Sequence, residues 1–489
     1  MSNRDTRNTT DIETLAAEIV VIGGGGGLAA AAAAAEKGAK VILLEKRKKT
    51  GGNIALARGL LAAERPVQKR MKIDAPREQL FKTAMAYSHW KINPEIIRAV
   101  INKSGDTIQW LEEKGVRFED VPNAYSNQVP RIYHVPEGYG AQVVRMLVKK
   151  CKELGVQLLY ETAGKRILTG QGRDVTGVLA ASGNKEIRID AKSVIIATGG
   201  YSGNRELLKK YCPDFTDNVH LYGLPNMGDG LVMATEIGAA TEGLAMLHMI
   251  GPFFTGSLYV LVVALESNTI WVNRKGERFV DETTYLPSES ANALNRQPDR
   301  VSYTLFDEKI KRSFVEDGLI KGIHRSYPSG TRMTDLDKHL QKEVEEGQVK
   351  ISGSWEEIAR WIGADLKTIE NTIGEYNGSC DRGHDDMFYK DRRYLQPLRT
   401  PPYYALKCSQ AFHGTIGGIK INHHMEVLNQ QGTPIPGLYA VGNDTGGWES
   451  DTYCYLLTGT AFAFAINSGR IAGENAASYL NGKRGASWN

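Results

Sequence analysis

Five consecutive glycines, Gly23 to Gly27, stand between the β-branched run Ile19-Val20-Val21-Ile22 and an alanine-rich stretch that reaches Ala35. This order predicts a strand, a tight turn and a helix; Gly38 then stops the helix, and Lys40 to Leu44 forms a second apolar strand closing on Glu45. The unit is βαβ, and two strands joined by a crossover helix pair in parallel. A glycine turn feeding a helix places backbone N–H groups and the positive helix end against a pyrophosphate. Glu45, 22 positions after Gly23, closes the second strand, where a carboxylate accepts hydrogen bonds from a ribose diol. Together these features point to a dinucleotide. The strict G-x-G-x-x-G spacing fails, because Leu28 occupies its sixth position, so Gly23, Gly24, Gly25, Gly26, Gly27 and Leu28 are assigned to the cofactor as a group. A glycine-rich helix start without a ligand is the competing reading, and the agreement of strand, helix and Glu45 weighs against it. NAD and FAD both remain open at this point.

Composition narrows the class. With 42% hydrophobic and 24% charged residues in 489, and glycine at 52, the chain reads as globular with an excess of tight turns. Its net charge of +4 comes from interspersed charges, which leaves no nucleic-acid footprint. The five cysteines are scattered and form no C-x-x-C pair, as suits packing residues in a reducing compartment. No His, Cys or carboxylate group has metal-ligand spacing, so no metal is expected. Met1 to Glu18 lacks the basic and apolar regions of a secretory signal, and the longest apolar runs, such as Tyr259 to Leu265, are far too short to span a bilayer. A cytoplasmic protein with no membrane association is expected.

Strand-like runs follow at Val156 to Tyr160, Val175 to Ala181 and Ser193 to Ala197, the last entering Thr198-Gly199-Gly200. From about Leu244 to Ala405 the pattern changes to helical segments with polar turns, among them Trp355 to Ile362 and Asp365 to Tyr376. Strands return at Ile419 to Ile421 and Leu438 to Val441, before a long apolar helix from about Thr458 to Ala477. A middle domain inserted into a discontinuous one accounts for this order.

Further motifs carry a resemblance. They are Thr50-Gly51-Gly52-Asn53, Arg58-Gly59, Ala197-Thr198-Gly199-Gly200, Gly228-Asp229-Gly230, Arg278-Phe279 after Asn273 to Glu277, Pro402 to Ala405, Thr415 to Gly418, Gly437 to Asn443 and Gly469 to Gly473. In this order they resemble FAD-dependent flavoproteins of the fumarate reductase and succinate dehydrogenase type, a group that includes the 3-ketosteroid dehydrogenases. The resemblance runs from about Ala17 to Ala477. It implies an α/β fold: a discontinuous Rossmann-like FAD-binding domain, residues 14–243 and 406–482, with an inserted α+β capping domain, 244–405. It further implies that Glu45 holds the adenosine ribose, Asn53 and its neighbours the isoalloxazine side, and Asn443 the ribityl chain, where fumarate reductases more often carry Glu. Lys46, Gly51, Gly52, Arg58, Gly59, Ala197, Thr198, Gly199, Asp229, Gly442 and Leu456 complete the expected cofactor contacts. Covalent members attach FAD through a histidine near the Gly-Gly-Asn segment; residues 50–60 contain none, so noncovalent FAD is expected.

A fumarate reductase pocket needs arginines and histidines to neutralise two carboxylates. Here the Arg278-Phe279-Val280-Asp281-Glu282-Thr283-Thr284 segment runs into Tyr285 where the family's arginine is expected, and the second arginine's segment reads Tyr453-Cys454-Tyr455-Leu456-Leu457-Thr458-Gly459. Each lost charge-assisted hydrogen bond is worth roughly 1.5–3 kcal/mol, so dicarboxylate binding is disfavoured and a neutral substrate expected. Tyr285 and the Tyr455-x-x-x-Gly459 pair resemble the 3-ketosteroid dehydrogenase arrangement, in which a tyrosine hydroxyl and a glycine N–H polarise a carbonyl while another tyrosine moves a proton. Tyr285, Tyr455, Gly459 and His413 are the catalytic candidates, and His248 aligns loosely with a substrate histidine of the family. The expected activity is hydride transfer between flavin and a neutral polycyclic or aromatic substrate, steroid-like or isoflavonoid-like, in the reductive direction. In size and in lacking a fused haem domain the chain is similar to gut-bacterial reductases of isoflavonoid intermediates.

Three alternatives stand beside this reading: a ketosteroid dehydrogenase working oxidatively, a small organic-acid reductase of fumarate or urocanate type, and a non-catalytic flavin carrier. The electron donor is left open between NAD(P)H and a small redox protein. Other conspicuous residues read as structural. Phe253, Phe254 and Tyr259 are expected to pack the cap, Lys46 to Lys49 to form a solvated turn, and Arg470 to cap or pair. His423 and His424, adjacent on a presumed strand, are expected to point to opposite faces.

Overall fold

The computed structural model describes residues 13–122, 130–172, 174–213, 215–284, 286–324 and 327–482. Two compact units are built from interleaved segments: the first from residues 1–214, 223–248 and 414–489, the second from 215–222 and 249–413.

The first unit is organised by a six-stranded sheet. Its strands are β1 (Ile19–Ile22), β2 (Val41–Leu44), β3 (Gln157–Leu159), β4 (Ser193–Ile196), β5 (Glu426–Leu428) and β6 (Pro434–Ala440), in the spatial order β5-β6-β4-β1-β2-β3. All neighbours are parallel except β5 and β6. β1, β2 and β4 are buried along their whole length, which explains why they read as unbroken apolar runs rather than alternating ones. A second, four-stranded sheet contains Val175–Ser182.

Helix α1 (Gly26–Glu36) follows β1 and packs against the long helix α2 (Thr460–Leu480). The two approach so closely that a Cβ on Gly473 would lie 2.2 Å from the Ala30 carbonyl oxygen, and one on Gly469 would lie 2.4 Å from that of Gly26. The alanine run and the paired glycines are thus two halves of one contact. The sequence places the start of α2 at Thr458; instead Tyr455–Leu457 forms a single tight turn, and Gly459, at φ +89°, caps the helix.

The second unit corrects the picture of helical segments joined by polar turns. Its centre is a sheet around the 13-residue strand Tyr403–Thr415, which pairs antiparallel with Val301–Asp307 and Val349–Ser352 and parallel with Val219–Leu221. Most of that strand is buried on both faces, so it lacks the period-two pattern that announces a strand. Helix Trp355–Ile362 matches the sequence reading, and the next helix runs on from Leu366 to Arg382, where Gly383 at φ +70° ends it. Phe254 is wholly buried in the core of this unit, with Phe253 and Tyr259 packed against it.

His423 and His424 also depart from expectation. They lie in a turn, not a strand, with ring centroids 4.0 Å apart, and His423 Nδ1 is 3.1 Å from Glu95 Oε2. Arg470 pairs, as read: its guanidinium donates to Asp106 Oδ2 at 2.9 Å and lies over the Trp110 ring.

Candidate active site and flavin cradle

The glycine turn is held from three sides. Gly23 N–H donates to the Leu44 carbonyl at 2.8 Å, and its φ of +107° sets the chain so close to β4 that a Cβ would lie 2.2 Å from the Ala197 oxygen. Gly24 N–H donates to Glu45 Oε2 at 3.1 Å, and Gly51 N–H to the Gly24 carbonyl at 2.7 Å. A Cβ on Gly26 or Gly27 would collide with neighbouring chain, whereas one on Gly25 would meet nothing nearer than 3.6 Å. The open face is therefore at Gly25, the residue that precedes and caps α1. That helix start has no side-chain cap and no acidic residue in its first turn, so its N–H groups and positive end suit an anion. Leu28 is wholly buried, and its carbonyl accepts from Cys151 Sγ at 3.6 Å; its side chain packs within the unit.

Glu45 is buried, and its second oxygen accepts the Arg47 N–H at 2.9 Å, so the carboxylate is fixed before any ligand arrives. Lys46 is paired with Asp229 at 2.5 Å, both about one-third exposed, so the basic run is not wholly solvated. Asn53 spends its amide on the Leu224 backbone, donating to the carbonyl at 3.3 Å and accepting the N–H at 2.7 Å. It orders the stretch after Tyr222 alongside the Gly51-Gly52 turn.

Asp444, absent from the sequence reading, organises the other wall. Its Oδ1 accepts Thr198 Oγ1–H at 2.8 Å and Gly200 N–H at 2.9 Å, and its Oδ2 accepts Gly199 N–H at 2.9 Å. Burial pushes its carboxyl upward, against the pull of those hydrogen bonds. Gly442 N–H donates to Ser468 Oγ at 3.1 Å. Between them the half-buried amide of Asn443 has no hydrogen-bond partner among the described residues, and a Cβ on Gly414 would lie 3.1 Å from its nitrogen. An unpaired amide beside an ordered glycine loop, opposite an uncapped helix start, fits a polar, phosphate-bearing cofactor such as FAD. Gly59 is buried against Tyr133, and Arg58 is exposed, 5.9 Å from the Tyr139 ring. Leu456 is half-buried in the turn that precedes α2.

The catalytic candidates separate into groups. Tyr455 is buried, and its hydroxyl lies 3.0 Å from His248 Nε2. The His248 ring stacks on Tyr453 with centroids 3.7 Å apart, and the Tyr453 hydroxyl accepts the Ala461 N–H at 3.0 Å, which anchors the stack to the first turn of α2. Gly459 sits at the start of the same helix, its carbonyl accepting Leu61 N–H at 3.2 Å. His248 thus joins Tyr455, although 207 positions of sequence separate them. His413 belongs to the second unit: its Nδ1 lies 3.2 Å from the Tyr222 carbonyl, and desolvation lowers its imidazole below the ordinary value. Tyr222 in turn lies against Phe253, with ring centroids 4.8 Å apart. Tyr285 lies outside the described residues. The segment before it is structural. Arg278 donates twice to Glu282 at 2.9 Å and to Asp385 at 3.0 Å, and Lys390, wholly buried, lies 3.2 Å from Glu282.

Among the described residues no group of His, Cys, Asp or Glu is arranged to hold a metal ion, and no helix is long and apolar enough to cross a membrane. The family model described as "FAD binding domain" matches residues 18–453. The vinyl phenol reductase of Lactiplantibacillus plantarum is 32% identical over 448 residues, covering 88% of this chain and 90% of that protein. The NADH:fumarate oxidoreductase of Klebsiella pneumoniae is 29% identical over 88% of this chain, which spans only 44% of that protein. Among solved structures, the 3-ketosteroid-Δ4-(5α)-dehydrogenase of Rhodococcus jostii shares the fold, with a TM-score of 0.77 at 23% identity over 98% of this chain and 100% of that one. With the matched family model spanning most of its length, the chain belongs to the FAD-binding family of fumarate reductase-like flavoproteins, and is an FAD-dependent oxidoreductase acting on CH–CH groups.

Proposed function

We propose that the protein reduces a carbon–carbon double bond conjugated to an aromatic or polycyclic system in a neutral substrate. The observation that carries this reading is the Tyr455–His248 pair beside Tyr453: two tyrosines, with an imidazole brought against them from another segment, occupy the stretch in which the family's dicarboxylate reductases carry an arginine. Such a site donates protons and presents flat aromatic surface, but the segment Tyr453 to Gly459 contains no arginine to pair with a carboxylate. The similarity to a vinyl phenol reductase supports an aromatic substrate, and phenolic styrenes and isoflavonoid-like compounds are the classes we propose.

FAD would be held without a covalent bond. The Gly23–Gly27 turn and the start of α1 would take the pyrophosphate, Glu45 the adenosine ribose and Asn443 the ribityl chain, with Asp444 fixing the Thr198–Gly200 loop beside it. Bound in this cradle, the reduced cofactor supplies the hydride. Tyr455 holds the proton that completes saturation of the double bond, and the start of α2 at Gly459 directs backbone N–H groups at developing negative charge. Electrons reach the cofactor from NAD(P)H or a small redox protein.

The test is anaerobic reoxidation of the dithionite-reduced holoenzyme by 4-vinylphenol, an isoflavone, a 3-ketosteroid enone, urocanate and fumarate, followed at the flavin absorbance band. Neutral aromatic acceptors should reoxidise it fastest. Rapid reoxidation by fumarate alone would overturn the proposal.

A further inference from the structure

We infer that His248 is a positioning residue that reprotonates Tyr455 and orients its hydroxyl, so that the two act as one proton-delivering pair. The inference rests on the reading of Tyr455 as the proton source and adds the group that serves it. Three observations carry it. The Nε2···Oη distance is 3.0 Å, within the range for direct proton transfer. The imidazole plane is set by the Tyr453 ring, 3.7 Å away and inclined by 20°, whose own hydroxyl is tied to Ala461 N–H. Finally, Tyr455 is buried while His248 is half-buried, so the imidazole is the more accessible of the two to protons from water.

Saturation of a double bond adds a hydride to one carbon and a proton to the other. The hydride and its electron pair come from the reduced cofactor, and the proton comes from Tyr455, whose O–H bond breaks to leave a phenolate. The imidazolium of His248 gives its Nε2 proton to that phenolate oxygen, and the neutral imidazole regains a proton from water. No further oxidant or reductant is needed. A phenol with an ordinary pKa of about 10 is regenerated slowly from bulk water when buried, which is the physical reason for a partner.

Two measurements test the pair. In the chain labelled with 15N-histidine and free of flavin, the imidazole resonance lost in His248→Gln should shift in Tyr455→Phe; an unmoved resonance would overturn the pairing. In the holoenzyme, His248→Ala should retain flavin and be reduced normally by dithionite. Its reoxidation by 4-vinylphenol, or by whichever acceptor is fastest for the unmodified enzyme, should slow by about 10²-fold. Added imidazole should recover part of that loss, which a merely structural histidine would not allow. Turnover of His248→Ala within about twofold of the parent, or a loss that imidazole does not relieve, sinks the role of His248. Normal turnover in Tyr455→Phe would instead sink the underlying reading of Tyr455.

Discussion

Glu45 Oε2 accepts the Gly24 N–H across the mouth of the glycine turn, 3.1 Å away, while its other oxygen holds Arg47 N–H. The carboxylate that the cofactor's ribose would meet is therefore also a brace for the turn. Glu45→Ala should release both N–H groups and weaken flavin retention by about tenfold or more, since hydrogen bonds to a charged group are worth roughly 1.5–3 kcal/mol each. The ratio of flavin to protein absorbance after gel filtration checks this, and full occupancy would remove Glu45 from the cradle.

Asp444 makes a sharper case. Replacing it with Asn puts an amide N–H against donors at Thr198, Gly199 and Gly200 that now share one carboxylate. A buried donor left unsatisfied costs about 1–3 kcal/mol, so Asp444→Asn should lower the unfolding midpoint and loosen flavin together. Thermal unfolding of apo and holo forms separates the two effects.

Lys390 and Glu282 form a wholly shielded ion pair in the second unit, with Arg278 on the same carboxylate. Removing one partner of a buried pair typically costs about 3–5 kcal/mol. Lys390→Met should destabilise the chain by an amount at the lower end of that range, because Arg278 still serves Glu282. Denaturant unfolding measures it, and an unchanged midpoint would show that the pair contributes no net stability.

Glu449 is buried with one hydrogen bond, from Cys454 N–H at 3.3 Å, and burial pushes its carboxyl up to about 8. The folded state therefore holds this proton over a range in which the unfolded chain, with an ordinary glutamate near 4.3, has lost it. Its contribution to stability is full below the unfolded value and is lost as pH rises through about 8. Glu449→Gln should match the parent in acid and exceed it by several kcal/mol, on the order of 5, above pH 8.5. Unfolding curves across pH 5–9 check the sign, and a parent that gains stability over that interval relative to Glu449→Gln would contradict it.

What could be read in advance follows from how locally each feature is encoded. The turn from Gly23 to Glu45 is a contiguous piece of chain whose strand, glycines and helix each carry their own signal, and the structure reproduces it closely. Asp444 has no local signature because its donors lie some 245 positions away; its trace in the sequence is a lone carboxylate inside the buried, glycine-rich segment Gly442 to Gly447. His248 and Tyr455 meet only because separate segments of the first unit converge, and no periodicity links them. The central strand of the second unit escaped notice for the opposite reason: with both faces covered, Tyr403–Thr415 shows no alternation to read.

The order of the strands sets a schedule for biogenesis. β4 lies between β1 and β6, which is synthesised long after β1, and α2 supplies the surface against which α1 packs. A ribosome that has passed residue 400 has made the glycine turn but neither Asp444 nor the helix behind it. On the proposed cradle, flavin loading awaits synthesis of Asp444 and of the helix behind it, and a message cut before residue 444 would yield chains that cannot become yellow.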